Sequence, residues 1–169
     1  MIACRWKSRI AGLGPVILVA LLLGSPIACA KKNLGSDNIP KKVMDALNAK
    51  FSKAKINEWE KEEEDGVVVY DFEFTQGDRK FEADIAEDGT IRNWEREIAA
   101  EDLPEAVKAT VRVMYPSCTL METMEVTAMQ DGKDMLEGYE ILLKTADETG
   151  IEVTVAPDGK ILEGPEEEE

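Results

Sequence analysis

The stretch DNIPKKVMDALNAKF at residues 37–51 returns 64 positions later as EDLPEAVKATVRVMY at residues 101–115. Ile39 and Pro40 match Leu103 and Pro104, Val43 matches Val107, Leu47 matches Val111, and Phe51 matches Tyr115. Further on, YDFEF (70–74) matches YEILL (139–143) at an offset of 69, and FEADIAEDGTI (81–91) matches IEVTVAPDGKI (151–161) at 70. An offset that grows by a few residues is the trace of loop insertions. Such a duplication narrows the possible folds sharply. What one copy forms the other must form too, and a chain of 169 residues has room only for two small units.

Each copy opens with a helical stripe. Val43, Leu47 and Phe51 recur every four residues, with Met44 joining at i+3, so one face must be buried. Asp37, Asn38 and Asp102 are the expected acceptors at the helix starts, with proline in the first turn where no N–H is needed. A helix of about 12 residues does not persist alone in water, so the stripe needs a sheet beneath it. Leu47, Phe51, Lys55 and Trp59 would allow the first helix to run on into EKEEED, but the matching TLMETMEVTAM is β-rich and follows Pro116.

Strands follow. Val68, Tyr70, Phe72 and Phe74 alternate with Asp71 and Glu73, and Phe81, Ala83 and Ile85 alternate likewise. A two-residue turn at Gly77-Asp78 sets Phe74 against Phe81, Phe72 against Ala83, and Tyr70 against Ile85. AEDGT and APDGK then each predict a short turn with glycine in the left-handed region, placing Ile85 against Ile91 and Val155 against Ile161. These DG turns have too few oxygens for a calcium loop. The fold class is therefore α+β: two tandem α-β-β-β(-β) units, residues 37–96 and 101–163. Each is an antiparallel sheet with one helix on one face, and the two sheets either stay separate or join edges. Residues 95–102 are the expected linker, and 164–169 an acidic tail outside any core.

Residues 1–30 read as an export signal. Arg5, Lys7 and Arg9 precede VILVALLL (16–23), which is too short to span a bilayer, and small residues follow. Cutting after Ala30 competes with a lipoprotein signal over 1–28, which leaves Cys29 as a lipidated first residue. An uncleaved anchor helix is the remaining alternative. The net charge of −15 becomes −18 once the three basic residues leave. Such a surface repels nucleic acid and anionic lipid and attracts basic protein surfaces or cations. With the signal cleaved, membrane attachment would come only through Cys29. Cys118 is then the one cysteine left, so no internal disulfide forms, and it reads as a small packed hydrophobe rather than a redox group. Histidine is absent, which removes Ser-His-Asp triads, Cys-His pairs and His-ligated zinc.

The Ile/Leu-Pro-x-x-Val helix, the Tyr-x-Phe/Ile-x-Phe/Leu strand and the closing DGxI turn resemble PepSY-like domains, in particular the β-lactamase-inhibitor-like branch with two tandem αβββ units. The likeness covers nearly all of residues 39–163. It implies a helix packed on an antiparallel sheet and an exported binding or regulatory module without catalysis or cofactor. It carries no fixed functional residues.

The hairpin register also sets Glu73 against Glu82 and Asp71 against Asp84, all pointing away from the helix. Counting on through the next turn puts Arg92 beside Asp84 and Trp94 near Glu82 on that same outer face. Asp71, Glu73, Glu82, Asp84, Arg92 and Trp94 are thus the candidate partner-binding residues, an acidic sheet with an aromatic anchor for a protein in the cell envelope. The bland alternative is a solvated face neutralised by Arg92 and nearby lysines. The rival function uses the same carboxylates for a divalent cation or small ligand. No catalytic residue and no metal site is assigned: paired carboxylates hydrolyse glycosides only across a cleft. The matching outer positions of the second unit, Glu140, Leu142, Lys144, Glu152, Thr154 and Ala156, are far less acidic. Trp59 falls outside strict alternation and is expected to pack at a bulge. Met114, Met121, Met124, Met129 and Met135 read as core filler, with a soft-metal cluster as the alternative.

Overall fold

A computed structural model describes residues 38–64 and 66–165. The signal, Cys29, Asp37 and the last four residues lie outside the described residues. Helix α1 (Lys41–Lys50) leads into β1 (Lys55–Glu64), β2 (Val67–Gln76), β3 (Arg79–Ala86) and β4 (Ile91–Glu97). A 3-10 turn (Ala100–Asp102) precedes α2 (Glu105–Met114), β5 (Thr119–Gln130), β6 (Lys133–Lys144), β7 (Gly150–Val155) and β8 (Ile161–Glu163). The strands form one antiparallel sheet in chain order, β1 to β8. The units join edges at β4 and β5, where Asn93–Ala128 to Glu97–Met124 pair. Residues 95–97, expected as linker, are therefore strand. No helix among the described residues is long and apolar enough to cross a membrane.

The predicted stripes are what the helices bury. Val43 and Leu47 are fully buried and Phe51 nearly so, against Tyr70, Phe72, Phe74, Ala83 and Ile85. In the second unit Leu103 and Val107 pack on Tyr139, Ile141, Leu143, Val153 and Val155. Each such side chain contributes about 1.5–3 kcal/mol on leaving water. Phe81 pairs with Arg96, Arg96 with Glu125, Glu125 with Tyr139, and Tyr139 with Val155. Directly opposed residues share a face, so both helices lie on the same side of the sheet.

The helix starts differ from expectation. Pro40 and Pro104 are themselves the caps, and among the described residues no side-chain hydrogen bond caps either helix. The carbonyl of Pro40 accepts from Val43 and Met44, and that of Pro104 from Lys108. Both helices end alike, with the N–H of Phe51 donating to Leu47 and that of Tyr115 to Val111.

The repeat extends to two of its bulges, while a third, at Glu137 in β6 opposite Val126/Thr127, has no counterpart among the described residues of the first unit. A bulge between Ile56 and Glu58 recurs between Leu120 and Glu122. A second, in the strand after each DG turn, lies opposite Asp84/Ile85 and again opposite Thr154/Val155. Gly89 and Gly159 have φ of 94° and 91°. A Cβ on either would sit 3.0 Å from a helix carbonyl, Lys42 or Ala106 respectively. The turn is thus glycine both for its left-handed backbone and for the close approach to the helix.

Candidate functional site

The two-residue turn at Gly77 holds the β2–β3 register as read from the sequence, with Glu73 opposite Glu82 and Asp71 opposite Asp84. The rows continue into the neighbouring strands. Glu58 lies opposite Glu73 and Glu95 opposite Glu82, giving one row of four glutamates across four strands. Beside it, Glu60, Asp71 and Asp84 form a second row that ends on Asn93. Strands lie about 4.8 Å apart, so these carboxylates are held shoulder to shoulder on the face away from the helices. Asp71 and Glu82 are only 7% and 4% exposed. The central carboxylates are hemmed by a neighbour on both adjoining strands, unlike the open plate that alternation alone implies. The Lys80 ammonium lies 3.2 Å from Glu82 and 2.8 Å from Glu122, bridging the patch to the second unit.

One expected member is elsewhere. Trp94 lies opposite Ala83, on the helix-bearing face, and Asn93 takes the place opposite Asp84. The cause is the β4 bulge: Ile91 pairs with Ile85 and Asn93 with Asp84, leaving the exposed Arg92 as the extra residue. Trp94 instead packs at the edge of the first core, its ring 5.8 Å from Phe51 and 6.5 Å from Phe81. The pattern held a hint. Strict alternation would have buried Asn93 and exposed Trp94, an inversion of their polarity. Alternation does not reach Glu58, Glu60 and Glu95, because the sequence assigns β1 no register and Glu95 reads as linker. The match to TLMETMEVTAM marks the β1 stretch as strand but does not say which β2 residue each carboxylate faces, because the register shifts between Ile56 and Glu58.

Trp94 also joins the two units. Its Nε1 donates to Asp134 at 3.0 Å, Lys50 donates to the same carboxylate at 2.7 Å, and the Lys50 ammonium sits 5.1 Å above the indole. The hydrogen bonds from Lys50 and then Trp94 hold the Asp134 carboxyl below its usual range. Asp88 is lowered chiefly by the Thr90 backbone N–H that closes the first DG turn. Burial pushes the Glu137 carboxyl up, and burial and then Glu125 do the same to the Tyr139 phenol.

Glu140 and Thr154 lie on the outer face of the second unit at 7% and 1% exposure. Among the described residues no group of three or more His, Cys, Asp or Glu side chains is arranged to hold a metal ion. Trp59 packs beside the β1 bulge as expected, 8% exposed and 6.0 Å from Tyr70. Cys118 is half-buried against the second core. Met124 is buried, but Met114, Met121 and Met135 are exposed, so the methionines are not uniformly core filler.

The model of the family described as "Putative beta-lactamase-inhibitor-like, PepSY-like" matches residues 25–93 and 68–163. A solved structure from Bacteroides eggerthii, described as one of its "putative periplasmic proteins", aligns with a TM-score of 0.57 at 13% identity, covering 75% of this chain and 87% of that one. A BLIP-like protein from Bacteroides fragilis aligns at 0.50 with 16% identity, covering 75% and 85%. A Bacteroides uniformis protein from a family of unassigned function aligns at 0.56 with 14% identity, covering 75% and 88%. At such identities the likeness is one of fold. No curated protein matches the sequence. The match of the family model to both halves, with the duplicated helix-on-sheet architecture, places the chain in the β-lactamase-inhibitor-like, PepSY-like family.

Proposed function

We propose that this is an exported, non-catalytic binding protein that docks a basic surface of a protein partner in the cell envelope and so inhibits or regulates it. The observation that carries the reading is the row Glu58–Glu73–Glu82–Glu95 with Glu60, Asp71 and Asp84 beside it. Like charges opposed across strands cost about 0.2–1 kcal/mol per pair, a cost that a solvated surface has no reason to repeat. A basic partner turns that repulsion into binding and speeds encounter. The family supports the reading, and the periplasmic description of the Bacteroides eggerthii relative agrees with export. Trp94 drops out as a direct contact, and Arg92, exposed beside Asp84's partner Asn93, stays in the proposed set. Attachment of the mature chain through a lipid on Cys29 remains part of the proposal, read out by the mass of the mature N-terminus.

The test is cross-linking capture from the cell envelope, with the wild type against Glu73→Lys/Asp84→Lys. Capture of a basic protein by the wild type, lost in the variant and weakened by salt, is the expected result. Equal capture by both overturns the acidic face as the docking site. A saturable thermal shift with micromolar calcium or magnesium would instead favour the cation-binding alternative.

A further inference from the structure

We propose that two copies of this chain pair edge to edge through residues 133–137 of β6, antiparallel and in one register, to form a symmetric dimer. Among the described residues, β7 reaches along β6 only as far as Tyr139, which pairs with Val155. The five residues before Gly138 are therefore a stretch of sheet rim, and Met135 and Leu136 on it are 48% and 46% exposed. The other rims are poor sites for pairing. β1 presents the run EWEKEE, and β8 has three residues and stops just before Gly164 and Pro165.

The direction of the backbone groups follows from the hairpin. Asp131 and Gly132 form a two-residue turn with φ of 51° and 74°, and Gln130 pairs with Lys133 across it. Residues flanking such a turn bond to each other, and the pattern then alternates. The N–H and C=O groups of Asp134 and Leu136 consequently point away from β5, toward the rim. A two-fold axis at Met135 sets Asp134 of each copy against Leu136 of the other, so both outward-pointing residues meet as hydrogen-bonded pairs. The same register sets Met135 against Met135 and brings Lys133 to Glu137, the extra residue at the β6 bulge opposite Val126 and Thr127. The segment KDMLE is thus complementary to its own reverse in backbone polarity, apolar contact and charge. Asp134 keeps its bonds to Lys50 and Trp94 on the helix-bearing face. Directly opposed residues share a face, so the acidic faces of both copies look the same way. The inference does not rest on what that face binds.

Sedimentation equilibrium of the purified protein up to about 1 mM tests it. A concentration-dependent dimer is expected. Lys133→Glu weakens it at least about ten-fold, because the symmetry counts each changed pair twice. Glu137→Lys acts likewise, and the double reversal Lys133→Glu/Glu137→Lys restores association. Amide exchange at Asp134 and Leu136 slows as the dimer forms. A monomer at every concentration, a dimer indifferent to Lys133→Glu, or a double variant no better than the singles overturns the proposal.

Discussion

The two repeats share their backbone devices and diverge in what they show to solvent. Proline caps, helix ends, both bulges and the glycine against the helix carbonyl recur in each. The cores differ. The first is aromatic, with Phe51, Phe72, Phe74 and Tyr70 buried, and the second is built mainly of valine, isoleucine and leucine. The outer faces differ more, carboxylate rows in the first against mixed residues in the second. Of the large apolar side chains that stand exposed, Val67 belongs to the first unit, while Val113, Met114, Leu120, Met121, Met135, Leu136 and Leu162 belong to the second. Positions that hold a turn or fix a register tolerate little, whereas solvent-facing positions drift until a partner constrains them.

The largest expected effect tests what the repeats share. Gly89→Val and Gly159→Val should each cost about 2–4 kcal/mol, from left-handed strain and the crowded helix carbonyl. Urea unfolding measures both; a cost at one site alone breaks the equivalence. Next comes the difference in cores. Phe51→Ala should cost about 3–4 kcal/mol and Tyr115→Ala about half that, since Phe51 is 5% exposed and Tyr115 is half-buried. Equal losses would show that the aromatic cluster adds nothing. Glu73→Lys should then raise stability by up to about 1 kcal/mol, by relieving repulsion from Glu58 and Glu82; a loss means the row is not under strain.

The smallest effect concerns the junction between units. The folded pKa of Asp134 is depressed, so its contribution is present above the ordinary value of 3.8 and fades as pH falls through the folded one. The wild type should exceed Asp134→Asn in melting temperature near neutral pH, by less as pH drops below 3.8. A gap independent of pH would assign Asp134 a packing role only.

Much of this was legible in the sequence because helix and hairpin obey local rules. The stripe at Val43, Leu47 and Phe51, the Gly77 turn and the DG turns each follow from neighbours within a few residues. Alternation puts Trp94 on the wrong face because a bulge adds one residue without any composition of its own, and every later side chain changes face. Local rules leave the edge joining of β4 to β5 open for a related reason: pairing between units is a long-range choice, and residues 95–97 read equally well as linker. Among the site residues, the four carboxylates of β2 and β3 were fixed by one turn. Glu58, Glu60 and Glu95 depended on pairings across the bulges of β1 and β4.

The strand order of the sheet is simply the order of the chain. Each strand finds its neighbour in the segment made just before it, which keeps loop closure short and assembly fast. A polypeptide that emerges end first, from a ribosome or through a membrane pore, would never have to wait for its far end before zipping up.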